Sequence, residues 1–251
     1  MHILEQIQLP IIFAHRGASS VAPENTIASF DIAFQQNAHA IELDTMLCAD
    51  GTPVVIHDRT VNRTTNGKGN VDDLTFKQLQ NLDAGSWYSK EFAGEKIPSL
   101  KTVLSRYGKN HLINIELKNF RSINTNLPEI TAEIIENLGI SENVLISSFI
   151  PRNLTRIRKR NPSLKFALLC SGGLVGKIYL SKLFHTLSPD FIHPKYESLT
   201  KGVIKRNHSM GRRIHTWTVD DSAQARSLIV DGVDGIITNY PSKIIGLLGR
   251  I

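Results

Sequence analysis

The stretch IELDTML, from Ile41 to Leu47, has the composition of a core strand except that two carboxylates, Glu42 and Asp44, interrupt it two positions apart. Side chains alternate between the faces of a strand, so Glu42 and Asp44 share one face while Ile41 and Leu43 share the other. A buried carboxylate is costly unless it is paired, protonated or bound to a metal. Something positive is therefore expected between the two.

Outward from this stretch, similar β-rich runs recur along the chain. IIFA (Ile11 to Ala14) precedes AIELDTM (Ala40 to Met46), and LINIELK (Leu112 to Lys118), VLISSF (Val144 to Phe149) and KFALLC (Lys165 to Cys170) follow it. DFIHP (Asp190 to Pro194), RIHTWTV (Arg213 to Val219) and GIITNY (Gly235 to Tyr240) complete the set. Segments of helical period lie between most of them, such as Thr26 to Asn37, Glu129 to Gly139 and Ser222 to Gly232, the last two closing on a glycine that suits a helix C-terminus. Eight strands alternating with helices in 251 residues predict a (β/α)8 TIM barrel, with an open doubly wound sheet as the alternative. No repeat or linker divides residues 1–251, so one catalytic domain is expected. The 65 residues between Met46 and Leu112 exceed what one crossover helix needs. This connection reads as an insertion at about 50–110 that caps the C-terminal face, where barrel active sites lie. It holds a short strand, TPVVIHD (Thr52 to Asp58), a turn-rich NRTTNGKGN (Asn62 to Asn70), and helices near Thr75 to Leu82 and Ser99 to Tyr107.

The first strand beyond the insertion repeats the opening pattern. In NIELK, Asn114, Glu116 and Lys118 share one face, so Glu42, Asp44 and Glu116 should converge at the barrel mouth. An all-oxygen site of this kind suits a hard divalent cation, Mg²⁺, Ca²⁺ or Mn²⁺, rather than zinc or copper. Three carboxylates and one such ion leave one negative charge, which Arg16 and Lys118 are placed to balance while holding phosphate oxygens. His15 follows the first strand and His57 ends the inserted one. Imidazoles titrate near neutrality, so one of this pair can take a proton while the other gives one. His2, His39, His111, His185, His193 and His208 have no such setting and are read as structural.

Composition agrees with an anionic substrate: 29 Lys and Arg stand against 23 Asp and Glu, a net charge of +6. The densest basic run, Arg152 to Arg160, lacks the interleaved aromatics of a nucleic-acid surface and reads as the solvent face of a helix. Cys48 and Cys170, without CxxC spacing, make no disulfide framework and fit a reducing compartment. The N-terminal segment has no basic region, Glu5, Gln6 and Gln8 interrupt its apolar residues, and no run in the chain reaches the roughly 18 residues that span a bilayer. A soluble cytoplasmic protein is expected, with its oligomeric state left open.

At these residues the chain resembles the glycerophosphodiester phosphodiesterase family. AHRGASSVAPENTIASF, IELDTMLCADGTPVVIHDRTVNRTTNGKG, LDAG, IPSL, INIELK, SSF, HTWTV and DGIITNYP occur in family order from about Ala14 to Pro241, nearly the whole chain. The resemblance implies a barrel with an insertion after the second strand, a metal held by Glu42, Asp44 and Glu116, and His15 and His57 as the acid–base pair. It departs from the expected pattern at Ile150 and Lys195, which bear on substrate preference. The implied reaction is hydrolysis of a small glycerophosphodiester to sn-glycerol 3-phosphate and an alcohol such as choline or ethanolamine. It runs through a 1,2-cyclic phosphate or by direct attack of water. Lysophospholipase D or phospholipase C-like cleavage of larger diesters is the enzymatic alternative, and a phosphoglycerol-binding barrel the non-enzymatic one. His215 and Trp217 share a face of the seventh strand, with Trp217 expected to wall the leaving-group pocket. Pro23 and Asn25 read as helix-start chemistry, Glu24 as a residue bordering the site, Asn239 as an organiser of the turn before Pro241, and the NRTTNGKGN loop as a solvated turn.

Overall fold

The computed structural model describes residues 2–119, 124–180 and 190–249; His185 lies outside them. Its strands are β1 (Ile11–His15), β2 (Ala40–Leu47), β3 (Pro53–Val55), β4 (Leu112–Leu117), β5 (Val144–Ser148), β6 (Lys165–Cys170), β7 (Phe191–Pro194), β8 (Arg213–Thr216) and β9 (Gly235–Thr238). All but β3 are parallel to their neighbours, and the pairing of β1 with both β9 and β2 closes the eight parallel strands into a barrel. The open-sheet alternative is thereby excluded. Around the barrel lie α1 (Ile27–Gln35), α2 (Phe76–Gln80), α3 (Leu100–Tyr107), α4 (Leu127–Leu138), α5 (Pro151–Arg160), α6 (Gly173–Tyr179), α7 (Lys201–His208), α8 (Ser222–Asp231) and α9 (Pro241–Leu248).

Local chemistry sets the ends of these helices. Thr26, Ser99 and Asp221 each accept a backbone N–H of the first turn of α1, α3 and α8. Gly139 and Gly232 close α4 and α8 at φ of 65° and 97°, a conformation that costs glycine no Cβ clash. The basic run on α5 buries Leu154 and Ile157 and turns its charges outward, with Arg156 and Arg160 meeting Glu129 and Glu136 of α4.

Alternation along the strands divides the interior in two. Outward residues such as Ile41, Leu43, Ile113, Ile115 and Ile146 pack under the helices. Inward residues Phe13, Ala40, Leu112, Leu145, Ala167 and Phe191 fill the N-terminal half of the barrel, sealed from below by Leu4. In the long connection, β3 runs antiparallel to β2, and Met46, Val54, Ile56, Val61, Val71, Leu79 and Ile97 form a satellite core beneath the loops. From the same connection, α3 returns to the helix layer: Leu100, Val103, Leu104 and Tyr107 join the main core.

Candidate active site

Parallel register delivers the acidic residues to one place. β1 to β2 pairing sets His15 opposite Glu42, and β2 to β4 pairing sets Asp44 opposite Glu116. One carboxylate oxygen from each of Glu42, Asp44 and Glu116 lies within 4.8 Å of the others, and all three residues are buried. Two cations answer them. Arg16 Nε is 3.2 Å from Asp44 Oδ2, and Lys118 Nζ lies 3.2 Å from Asp44 Oδ1 and 2.7 Å from Glu116 Oε1. Arg16 also donates its backbone N–H to Glu42 Oε2 at 3.1 Å, from a left-handed conformation at φ 57°.

Three buried carboxylates against two cations leave one negative charge out of water, and the acids divide that strain unequally. Burial opposes the charge on Asp44, yet Lys118 and Arg16 outweigh it and hold the carboxyl well below the usual range. Glu42 is pushed well above that range by burial and by the facing charges of Asp44 and Glu116. Glu116 rises to about 7 through burial and Asp44, against the pull of Lys118. All-oxygen donors this close, short of positive charge, fit a hard divalent ion.

His15, the last residue of β1, and His57, in the loop beyond β3, face this cluster, and their partners differ in kind. His15 Nδ1 lies 2.7 Å from Asn239 Oδ1, a neutral amide just past β9. Burial and the neighbouring Arg16 push its imidazole down to about 4. His57, two residues beyond β3, donates Nδ1–H to Asp58 Oδ1 at 2.7 Å. Arg63 Nε binds the other oxygen of Asp58 at 2.7 Å, and its two terminal nitrogens reach both oxygens of Glu24 at 2.8 Å. Glu24 in turn accepts from Arg16 Nη1 at 2.9 Å. A continuous chain of charged hydrogen bonds thus runs from His57 round to the arginine beside the carboxylates.

A model of the glycerophosphoryl diester phosphodiesterase family matches residues 15–243, which hold both histidines and all three carboxylates. The chain belongs to that family. The Bacillus subtilis protein YhdW is 42% identical over 236 residues, covering 93% of this chain and 96% of the relative. A glycerophosphodiester phosphodiesterase of Caldanaerobacter subterraneus subsp. tengcongensis is 39% identical over 241 residues, covering 96% and 98%. Among solved structures, an Oleispira antarctica phosphodiesterase in complex with the product sn-glycerol-3-phosphate superposes with a TM-score of 0.83 at 30% identity, over 96% of this chain and 97% of that one. The protein is accordingly an enzyme, a phosphoric diester hydrolase.

In this phosphodiesterase the cluster opens into a cavity of about 110 Å³ lined by His15, His57, Glu42, Glu116 and Lys118 and walled by Phe149, Leu169, Trp217 and Ile237. Trp217 stands edge-on to Phe149, with ring centroids 5.6 Å apart, and its Nε1–H is anchored to the carbonyl of His193 at 2.7 Å. His215, by contrast, is sealed inside the barrel, 3.1 Å from His193. The structure thus brings His15, Arg16, Glu42, His57, Glu116, Lys118 and Trp217 to one cavity, with Asp44 buried in the acidic cluster beside it.

Three local expectations need correction. Helix α1 is capped by Thr26, whereas Asn25 sits at φ 58° and turns its amide to Asp44, donating Nδ2–H to Oδ2 at 3.0 Å and accepting the Asp44 backbone N–H at 3.3 Å. Its left-handed backbone, which Asn tolerates better than most residues, is what aims the side chain at the cluster. The NRTTNGKGN loop is no plain solvated turn, because Arg63 carries the link between His57 and Glu24. Asn239 organises more than the turn before Pro241, since it also holds His15. No sequence spacing marks these contacts; apart from Arg63 to Asp58, each joins segments well separated in the chain.

Proposed function

We propose that the protein hydrolyses glycerophosphodiesters such as glycerophosphocholine or glycerophosphoethanolamine to sn-glycerol 3-phosphate and an alcohol, with His15 and His57 as a proton-transfer pair beside a divalent cation. The observation that carries this reading is a buried acidic triad, short of positive charge, sharing one small cavity with two imidazoles of unlike partners. The product seen in the Oleispira antarctica relative supports the glycerophosphate half of the substrate.

Glu42, Asp44 and Glu116 would hold the ion, Mg²⁺ or Ca²⁺, with Mn²⁺ acceptable. Once bound it supplies Lewis acidity at the phosphate and a lowered pKa for a nearby hydroxyl. Arg16 and Lys118 bind phosphate oxygens as fixed donors already oriented by the carboxylates. His15, held against a neutral amide, is the uncharged member and takes the proton of the glycerol 2-hydroxyl. The hydroxyl oxygen bonds to phosphorus, the bond from phosphorus to the alcohol oxygen breaks, and His57 gives that oxygen its proton. Asp58 steadies the imidazolium from which the proton leaves. Water then opens the 1,2-cyclic phosphate with the two histidines exchanging roles. Phe149 and Trp217 wall the space for the departing alcohol.

Residues 1–251 act as one catalytic domain in this reading, with the insertion at about 50–110 bringing His57 and Arg63 to the rim. Cys48 and Cys170, both buried free thiols, suit a reducing cytoplasmic setting. Among the described residues no helix is long and apolar enough to cross a membrane.

A panel of glycerophosphodiesters assayed for glycerol 3-phosphate release tests the activity. A 2-deoxy analogue of glycerophosphocholine tests the route: it should compete for binding yet turn over at least about 10³-fold more slowly, the scale of a missing nucleophile. Its normal hydrolysis would establish direct attack by water instead.

A further inference from the structure

Asp220 belongs neither to the cavity lining nor to the carboxylate cluster, yet both its carboxylate oxygens are engaged at the ends of two barrel strands. It lies just beyond β8, and Oδ1 accepts the backbone N–H of Asn239 at 2.8 Å and the hydroxyl of Thr238 at 3.0 Å. Oδ2 accepts Nδ2–H of Asn239 at 2.6 Å. A carboxylate only accepts, so the amide of Asn239 can present only its NH₂ to Asp220 and must present its carbonyl oxygen on the other side. On that side stands His15, with Nδ1 2.7 Å from Asn239 Oδ1. The hydroxyl of Ser19 lies 2.8 Å from the same carbonyl oxygen and 2.8 Å from the backbone carbonyl of His15, so its one proton serves either acceptor and the orientation is set by Asp220. A carbonyl oxygen cannot donate, so the proton between the two groups belongs to His15 Nδ1.

We infer that Asp220 is a positioning residue: through the amide of Asn239 it fixes neutral His15 as the Nδ1–H tautomer, leaving the Nε2 lone pair as the one site able to accept a proton. The chain is directional. Reversing the first donor–acceptor choice reverses each later one, because an amide has one face of each kind. In an Asp220→Asn variant, the new side chain keeps its carbonyl on the Asn239 backbone N–H and Thr238, and turns its NH₂ toward residue 239. Asn239 must then rotate its carbonyl toward position 220 and its NH₂ toward His15, and Nδ1 becomes an acceptor. The imidazole is left as the Nε2–H tautomer, which cannot take a proton at Nε2. Asp220→Asn combined with Asn239→Asp restores the original pattern, since position 220 donates, the new carboxylate accepts, and its second oxygen accepts Nδ1–H again.

The inference rests on His15 as the proton acceptor for its kinetic arm only. The direct test is nitrogen-15 NMR of histidine-labelled protein, with the His15 signals assigned by loss in a His15→Gln variant, at a pH where the ring is neutral. Wild type should show a protonated Nδ1 and a pyridine-like Nε2, Asp220→Asn the reverse, and the double variant the wild-type pattern. On glycerophosphocholine, Asp220→Asn should lower kcat at least about 10²-fold with KM little changed, the scale of losing a correctly protonated general base, and the double variant should recover at least about tenfold of that loss. An Nε2–H tautomer in wild type, or a tautomer unchanged by Asp220→Asn, overturns the inference, as does a double variant no better than the single one. If Asp220→Asn does not fold, the wild-type spectrum alone decides. Because the spectra need no turnover, an inactive wild type would refute the proposed function while leaving the tautomer result to stand or fall by itself.

Discussion

At the N-terminal end of the barrel the inward side chains include Phe13, Ala40, Leu112, Leu145 and Phe191, whereas two residues further along the same strands stand His15, Glu42, Asn114, Ser147 and His193. One pleat separates a hydrocarbon plug from a floor of polar groups, and the next pleat adds Asp44 and Glu116. The strands are continuous through both layers, so the backbone contributes equally to each. The difference lies in what burial does to the side chains. In the lower layer it removes apolar surface from water and stabilises the fold by about 1.5–3 kcal/mol for each large residue. In the upper layer the same burial forces Glu42 and Glu116 above the usual carboxylate range. The barrel thus carries an unfavourable cluster at its mouth, held in place by strands anchored below, as expected where strain accompanies function.

The comparison breaks most sharply at the triad. Removing divalent ions, or making Glu116→Gln, should abolish turnover, a loss above about 10³-fold, while the folded content measured by circular dichroism is unchanged. Full activity in a chelated preparation would show that the charge deficit is met without a metal. Next in size, His57→Ala should lower kcat at least about 10²-fold with divalent-ion binding retained by calorimetry; wild-type kcat would remove His57 from the chemistry. Arg63→Ala touches only the outer link between Asp58 and Glu24 and is half-exposed, so a fall in kcat of roughly two- to fivefold is expected. A drop as large as that of His57→Ala would place Arg63 on the substrate itself. In the lower layer the signs reverse. Leu112→Ala should cost about 2–5 kcal/mol of stability, read by denaturant titration, and leave kcat of the folded enzyme within about twofold. A comparable loss of kcat would mean that the two layers are mechanically coupled.

Periodicity and composition made the barrel legible. Each of the eight parallel strands falls on one of the β-rich runs, and Gly139 and Gly232 end their helices where glycine is expected. The triad was legible for the same reason: charge placed at strand period in an apolar run cannot be hidden, and parallel strands starting at one end of a barrel deliver such residues to the same height. His15 stood out by ending a strand, and His57 by following a short one, which stops at Val55 rather than at His57. Tertiary structure alone decided the partners of these residues. That Asn25 holds Asp44, that Arg63 joins His57 to Glu24, and that Asn239 reaches His15 depend on loops meeting above the barrel. Such contacts are fixed by closure of the sheet and by one left-handed residue at Asn25, not by any local periodicity. The pattern of apolar and charged residues along a strand is a one-dimensional record of burial, so the chain carries it openly. The direction of a hydrogen bond between side chains 224 positions apart, as between His15 and Asn239, exists only once β1 has paired with β9.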